Sequence, residues 1–180
     1  MEIRRDDLRG TAIIELLQEH LRCMERVSPP ESRHALDLDE LRGPEIAFYT
    51  IWNGADLAGC GALKELSPDH GEIKSMRTAY AFQRRGVAAR MLRHLIGEAE
   101  QRGYRRLSLE TGAMEYFEPA RQLYASFGFA YCEPFGFYRE DANSVFMARV
   151  KPGGNAKGVW SPSRDPRPHP AGPDRGNEGR

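Results

Sequence analysis

The chain has 180 residues, and 26 Lys and Arg balance 26 Asp and Glu to a formal net charge of zero. That balance leaves no electrostatic footprint for nucleic acid or an anionic membrane, and no apolar run is long enough to span a bilayer. The three cysteines, Cys23, Cys60 and Cys132, form no CxxC pair, which argues against a zinc site or a disulfide framework and fits a reducing cytoplasm.

Residues 1–5 lack an apolar signal core and read as a short first strand. Asp6 or Asp7 then caps a helix whose apolar positions Leu8, Ile13, Ile14, Leu16, Leu17, Leu21 and Met24 recur at roughly helical spacing. Val27-Ser-Pro-Pro30 stops it, and 32–43 is a polar connector with room for one helical turn at 37–42. Residues 45–52 are rich in β-branched and aromatic side chains and predict a strand. Asn53-Gly54 signals a type I′ hairpin, which Ala55-Asp56 would lengthen. The return strand, 57–66, carries small residues that permit close packing against a helix. A turn at 67–70 leads into a third antiparallel strand, 72–78.

From Gly86, the positions Val87, Ala88, Met91, Leu92, Leu95, Ile96 and Ala99 predict an amphipathic helix that Gly103 ends. Residues 105–111 return to the sheet, and the strand–helix–strand order makes this strand parallel to the preceding one. A second helix spans 117–127, with Pro119 in its first turn and Gly128 just past its end. Strands at 129–131 and 144–150 close the domain. From Lys151 onward Pro and Gly dominate with almost no apolar residues, which predicts a folded unit of 1–150 and a disordered tail of 151–180. The arginines and Lys157 of the tail are diluted by Asp165, Asp174 and Glu178, which discounts nucleic-acid binding there.

The sharpest motif is Gln83-Arg-Arg-Gly-Val-Ala88. A helix start has free backbone N–H groups and a partial positive charge, and here Arg84 and Arg85 add charge beside small residues. The pattern suits a phosphate, the alternative being an ordinary helix start with a glycine in its turn. There is no Gly-Lys-Ser/Thr as in a Walker loop and no earlier glycine as in a dinucleotide fingerprint, so the inference is a cofactor held by its phosphates.

Three stretches together carry a resemblance to the GNAT N-acyltransferases. Gln83-Arg-Arg-Gly-Val-Ala88 resembles the superfamily's Gln/Arg-x-x-Gly-x-Gly/Ala pyrophosphate loop, with alanine last. Leu107-Ser-Leu-Glu-Thr111 resembles its following strand, and Leu123-Tyr-Ala-Ser-Phe-Gly-Phe129 its Leu-Tyr-x-x-x-Gly-Phe signature. Residues 71–78 and 138–147 further resemble a bacterial subgroup of YsnE-type acetyltransferases. The resemblance implies an α/β (α+β) fold with a mixed, mostly antiparallel twisted sheet and helices on both faces. It also implies acetyl transfer from acetyl-CoA to a primary amine, small molecule or peptide, with no metal, no nucleic-acid or membrane partner, and a homodimer left open. The amides and side chains of Gln83, Arg84, Arg85, Gly86, Val87, Ala88 and Ala89 would hold the pyrophosphate. The main chain of Met76, Arg77 and Thr78 would pair with the pantetheine arm.

The same resemblance assigns the chemistry. Glu72, fourteen positions before Gly86, matches a basic glutamate of several members; its alternative is a strand-edge carboxylate pairing Lys74 or an arginine. Glu110 on the facing strand is the competing base, or else a structural or substrate-orienting group. Tyr124 matches the tyrosine that donates to the CoA thiolate, with plain packing as the alternative. His70 reads as a surface turn that could assist a relay, His94 as a solvated helix residue, and Arg121 as a solvated face or a CoA contact. Glu115, Tyr116 and residues 135–138 would shape the acceptor's mouth. Cys60 and Cys132 lack a nucleophile's His/Asp partners in sequence, so direct attack in a ternary complex is preferred. The reading from another class is a catalytically silent acyl-CoA-binding regulatory module.

Overall fold

Strand β2 (Ile46–Asn53) is buried on both faces, and its side chains divide between two cores. Ile46 and Phe48 join one cluster with Leu8, Ile13, Leu16, Leu17 and Leu41, while Ala47, Tyr49 and Ile51 join a larger one with Met91, Leu92 and Leu95. A strand whose alternate residues meet two separate cores requires a layer on each side of its sheet. The computed structural model, which describes residues 1–27, 29 and 36–151, has that architecture.

Among the described residues seven strands form one sheet: β1 (Glu2–Arg5), β2, β3 (Asp56–Ser67), β4 (His70–Thr78), β5 (Arg106–Gly112), β6 (Ala130–Cys132) and β7 (Ser144–Val150). Their order is β1-β2-β3-β4-β5-β7-β6, antiparallel throughout except for the parallel β4–β5 pair. Helices α1 (Thr11–Val27) and α2 (Leu38–Leu41) cover one face. Helices α3 (Val87–Gln101) and α4 (Glu118–Ser126) cover the other. The mixed α/β (α+β) sheet with helices on both faces is the expected one, and β7 matches its predicted bounds. The small residues of β3 do seat a helix, because a Cβ on Gly61 would lie 3.0 Å from Met91 and 3.1 Å from Leu95. No described helix is long and apolar enough to cross a membrane. The predicted tail beyond Lys151, and most of the connector before Leu36, lie outside the described residues.

Two local expectations shift. Asp6 and Asp7 do not cap α1; their carboxylates accept from the N–H groups of Leu8 (2.8 Å) and Arg9 (3.1 Å), forming tight turns before the helix begins at Thr11. Leu8, at φ 62°, is swung by this turn into the core. In the first hairpin Asn53 still pairs with Asp56, so the two-residue loop is Gly54-Ala55. Gly54 has φ 63° and Ala55 is not among the positive-φ residues, a pattern belonging to type II′ with glycine first. The predicted turn at 37–42 does form, with the Asp37 side chain accepting from Glu40 N–H and Glu40 from Asp37 N–H.

Candidate active site

The site begins with one extra residue in β4. Cys60 pairs with Arg77 and Ala62 with Lys74, so Gly61 alone faces both Ser75 and Met76. Ser75 takes φ 51°, and its carbonyl accepts from the Cys60 thiol at 3.3 Å. Such a bulge bends its strand and breaks the ladder locally. Pairing between β4 and β5 accordingly runs only from His70–Arg106 to Ile73–Leu109. Beyond it the two strands diverge, while β5 stays paired to β7 as far as Gly112–Ser144. The edge of β4 that faces β5, along Met76, Arg77 and Thr78, therefore has no partner strand among the described residues.

A cavity of about 130 Å³ lies in this fork, lined among others by His20, Lys74, Ser75, Met76, Glu110 and Tyr124. Glu110 accepts from the Ser144 hydroxyl at 2.7 Å. Tyr124, from α4, is buried; burial first and the Glu110 charge second push its pKa well above a tyrosine's usual value, so the phenol keeps its proton. A second, larger cavity of about 920 Å³ is lined by Glu72, Lys74 and residues 135–142 of the loop before β7. Lys74 borders both.

Glu72 is 3% exposed and sits on an interior strand, not at a sheet edge. Its Oε1 accepts from the Tyr138 hydroxyl at 2.6 Å and faces Lys74 Nζ at 3.4 Å, and Lys74 in turn donates to the Tyr138 oxygen at 2.6 Å. The Tyr138 proton is held firmly, by burial and then by the Glu72 charge. The two sequence-nominated carboxylates thus stand in different cavities, with Tyr124 beside Glu110 only.

The phosphate-loop candidates lie at the far end of β4. Gln83 closes a 3-10 turn, donating to the Tyr80 carbonyl at 3.2 Å. Arg84 (φ 58°) and Gly86 (φ 77°) are both left-handed, and α3 starts at Val87 with no side-chain cap. The first bond of the helix is Arg90 N–H to the Gly86 carbonyl at 3.0 Å, which leaves the amides of Val87, Ala88 and Ala89 as the unpaired first turn. A Cβ on Gly86 would meet nothing within 4 Å, so the loop is open to a ligand. Backbone N–H groups splayed by left-handed residues at a helix start form an anion cradle. Arg84 and Arg85 are exposed, and the Arg85 guanidinium lies 5.6 Å from the Phe82 ring centre.

The Arg77 side chain is engaged. Its guanidinium donates to Glu19 of α1 at 2.8 Å; burial opposes its charge, but hydrogen bonds to Glu19 and Tyr116 outweigh that and push its pKa up. Tyr116 also meets the Cys23 thiol at 3.0 Å, tying α1 to the turn before α4.

Three further side chains depart from expectation. His70 is no surface turn: it begins β4, its Nε2 lies 2.8 Å from Ser108 Oγ, and burial with the nearby Arg106 lowers its pKa to about 4. His94 is half-buried, with part of its ring at the surface; its Nε2 is sealed without a partner and its ring packs edge-on to Tyr49. Arg121 is buried, donating to the carbonyls of Gly112 (2.6 Å) and Met114 (2.9 Å) and pairing with Glu118, so it locks the end of β5 to α4. His20 was not foreseen: an α1 histidine between leucines carries no distinguishing signal in one sequence. Among the described residues no group of three His, Cys, Asp or Glu could hold a metal ion.

The profile described as the acetyltransferase (GNAT) family matches residues 13–129. The chain is 62% identical over 149 residues to the uncharacterized N-acetyltransferase YsnE of Bacillus subtilis, covering 83% of this chain and 99% of that one. It is 50% identical over 146 residues to the uncharacterized N-acetyltransferase YedL of Escherichia coli, covering 81% of this chain and 92% of that one. Among solved structures it resembles a candidate acyl-CoA N-acyltransferase of Klebsiella pneumoniae (TM-score 0.67, 23% identity, covering 83% and 96%). A Bacillus subtilis acetyltransferase in complex with CoA is also similar (TM-score 0.60, 17% identity, covering 83% and 97%).

Proposed function

The chain belongs to the acetyltransferase (GNAT) family, and from that premise we propose that it moves an acetyl group from acetyl-CoA to a primary amine by direct attack in a ternary complex. The observation that carries this reading is the cavity in the β4–β5 fork, where Glu110 and Tyr124 meet beside an unpaired strand edge. That edge leads within a few residues to the open amide cradle at Gly86, and the pair suits a long ligand with a phosphate group at one end. The CoA-bound Bacillus subtilis neighbour, of the same fold, supports the choice of ligand.

The reaction forms one C–N bond and breaks one C–S bond. The amine nitrogen attacks the thioester carbonyl, the tetrahedral adduct expels the CoA thiolate, and the nitrogen gives up a proton. Glu110, an acceptor already oriented by Ser144, takes that proton directly or through water. Tyr124, whose phenol burial keeps protonated, stabilises the leaving sulfur as a hydrogen-bond donor, and solvent supplies the proton the thiolate takes up. Glu72 is the alternative base. Its occupied Oε1 favours a different role, fixing Tyr138 and Lys74 at the wall of the acceptor cavity. We assign the catalytic unit to residues 1–150, with the tail dispensable and the setting cytoplasmic, in keeping with three free thiols.

The test is release of free CoA thiol from acetyl-CoA against a panel of amines. Turnover with at least one primary amine is expected. A rise in Tm with acetyl-CoA and no thiol release from any amine would instead make the chain a silent binding module.

A further inference from the structure

Three consecutive residues of β3, Gly59-Cys60-Gly61, lie against the bulge of β4, and each is suited to it. A Cβ on Gly59 would come within 2.6 Å of the Arg77 carbonyl oxygen, and one on Gly61 within 3.3 Å of Met76 Cγ, so the bulged strand uses the bareness of both glycines. Between them stands a side chain that donates. The Cys60 thiol is buried and lies 3.3 Å from the Ser75 carbonyl oxygen, which can only accept, so the proton of this bond is on sulfur. Burial pushes the Cys60 pKa up to about 12, and the donor is therefore kept across the physiological pH range.

The register of the bulge and its conformation have different causes. Pairing of Cys60 with Arg77 and of Ala62 with Lys74 dictates that β4 carries one extra residue here. It does not dictate that residue's torsions. Ser75 takes φ 51°, a left-handed value that an L side chain rarely adopts, so a contact has to hold it there. Among the described residues the side-chain hydrogen bond to Ser75 comes from Cys60. The course of the chain after Ser75 follows from those torsions. What comes next is Met76, Arg77 and Thr78, the edge of β4 that has no partner strand among the described residues.

We propose that Cys60 is a positioning residue for acetyl-CoA: its thiol fixes the bulged Ser75 peptide and so holds the free edge at Met76–Thr78 at the angle that the pantetheine arm pairs with. This rests on the acetyl-CoA reading above and deepens it. The thiol touches no substrate and takes no part in the chemistry. Its neighbours in the core, Phe48 and Ala62 among them, ask only for an apolar filler of its size, whereas the Ser75 carbonyl asks for a donor. A cysteine supplies both.

The experiment measures acetyl-CoA affinity by calorimetry, and kcat and KM with the best amine of the thiol-release panel. It compares wild type, Cys60→Ala, Cys60→Ser and the double variant Cys60→Ala with Ser75→Gly, all in the full chain. For Cys60→Ala the Kd and KM of acetyl-CoA should rise about three- to tenfold, the worth of one net hydrogen bond. Its kcat at saturating acetyl-CoA should not change, since Glu110 and Tyr124 stand on other elements. Cys60→Ser keeps a donor at the same place and should recover most of the affinity. Ser75→Gly lets residue 75 take a left-handed torsion without strain, so the double variant should bind better than Cys60→Ala alone. Wild-type affinity in Cys60→Ala overturns the proposal. A loss that neither Cys60→Ser nor Ser75→Gly restores overturns it too, and traces the effect to the cavity left by the sulfur. Wild-type protein that does not bind acetyl-CoA would sink the acetyl-CoA reading itself. Normal binding by every variant would sink only the role of Cys60.

Discussion

The loop at 83–89 presents backbone to its ligand, whereas the region around Lys74 presents side chains gathered from far apart. Left-handed turns at Arg84 and Gly86 and an uncapped helix start make the first site, all within one contiguous stretch. The second depends on Tyr138 reaching Lys74 and Glu72 across 64 and 66 positions, and on α1 folding over the fork. A site built of amides tolerates changes in its side chains but not in its torsions. One built of side chains tolerates neither their loss nor their displacement. The difference suits a division of labour in which a constant co-substrate meets the backbone and the particular amine meets the side chains.

The largest effect expected is on the chemistry between the two. Glu110→Gln keeps an acceptor for the Ser144 hydroxyl but removes the base, so kcat should fall by about 10²- to 10⁴-fold while acetyl-CoA binding by calorimetry stays unchanged. Glu72→Gln is the control. If it loses that much kcat while Glu110→Gln keeps its own, the base belongs on β4 and the two cavities exchange roles.

Next comes the backbone half. Gly86→Val forces a β-branched residue into φ 77°, at a cost of roughly 1–2 kcal/mol, so the loop must relax out of its shape. Acetyl-CoA should then bind about tenfold more weakly, with the amine KM unaffected. Unaltered acetyl-CoA affinity would mean that the phosphates sit elsewhere. On the side-chain half, Tyr138→Phe removes the hydroxyl between Lys74 and Glu72. The amine KM should rise roughly three- to tenfold, the worth of one net hydrogen bond, and acetyl-CoA binding should not move.

The same contrast explains what could be read from one sequence. The amide cradle was legible because its cause is local: Gly86 and the small residues after it specify a helix start within a few positions. The parallel β4–β5 pair was legible because a strand–helix–strand order leaves little other choice. The bulge at Ser75 was not, since nothing in Lys74-Ser-Met-Arg77 distinguishes a bulged strand from a regular one. Yet that bulge makes the fork and puts Glu72 and Glu110 into different cavities. Arg121 looked solvated because helix periodicity reports one face only, and the turn around Met114 reaches it from elsewhere; His94 is covered only in part, by the ring of Tyr49. The hairpin at Gly54 slipped by one residue because Asn-Gly suits either register, and pairing with Asp56 selected the second.

The smallest effect separates amides from charges within the loop itself. Arg84 and Arg85 flank the cradle, and an account based on net charge would make them the main phosphate ligands. Both are exposed, and Arg85 already lies against the Phe82 ring, so a contact from either to a phosphate would be screened by water and salt. Exposed ion pairs are worth about 0.2–1 kcal/mol, which corresponds to no more than roughly fivefold in affinity. Arg84→Ala and Arg85→Ala should therefore weaken acetyl-CoA less than Gly86→Val does, and the loss should shrink further as salt is raised. Arg84→Gly is the sharper variant, because it removes the charge while relieving a left-handed non-glycine torsion at φ 58°. If the amides hold the phosphates, Arg84→Gly should bind acetyl-CoA at least as well as Arg84→Ala. If the guanidinium holds them, the two variants should lose affinity together, by well over fivefold, and the loop would count as a side-chain site after all.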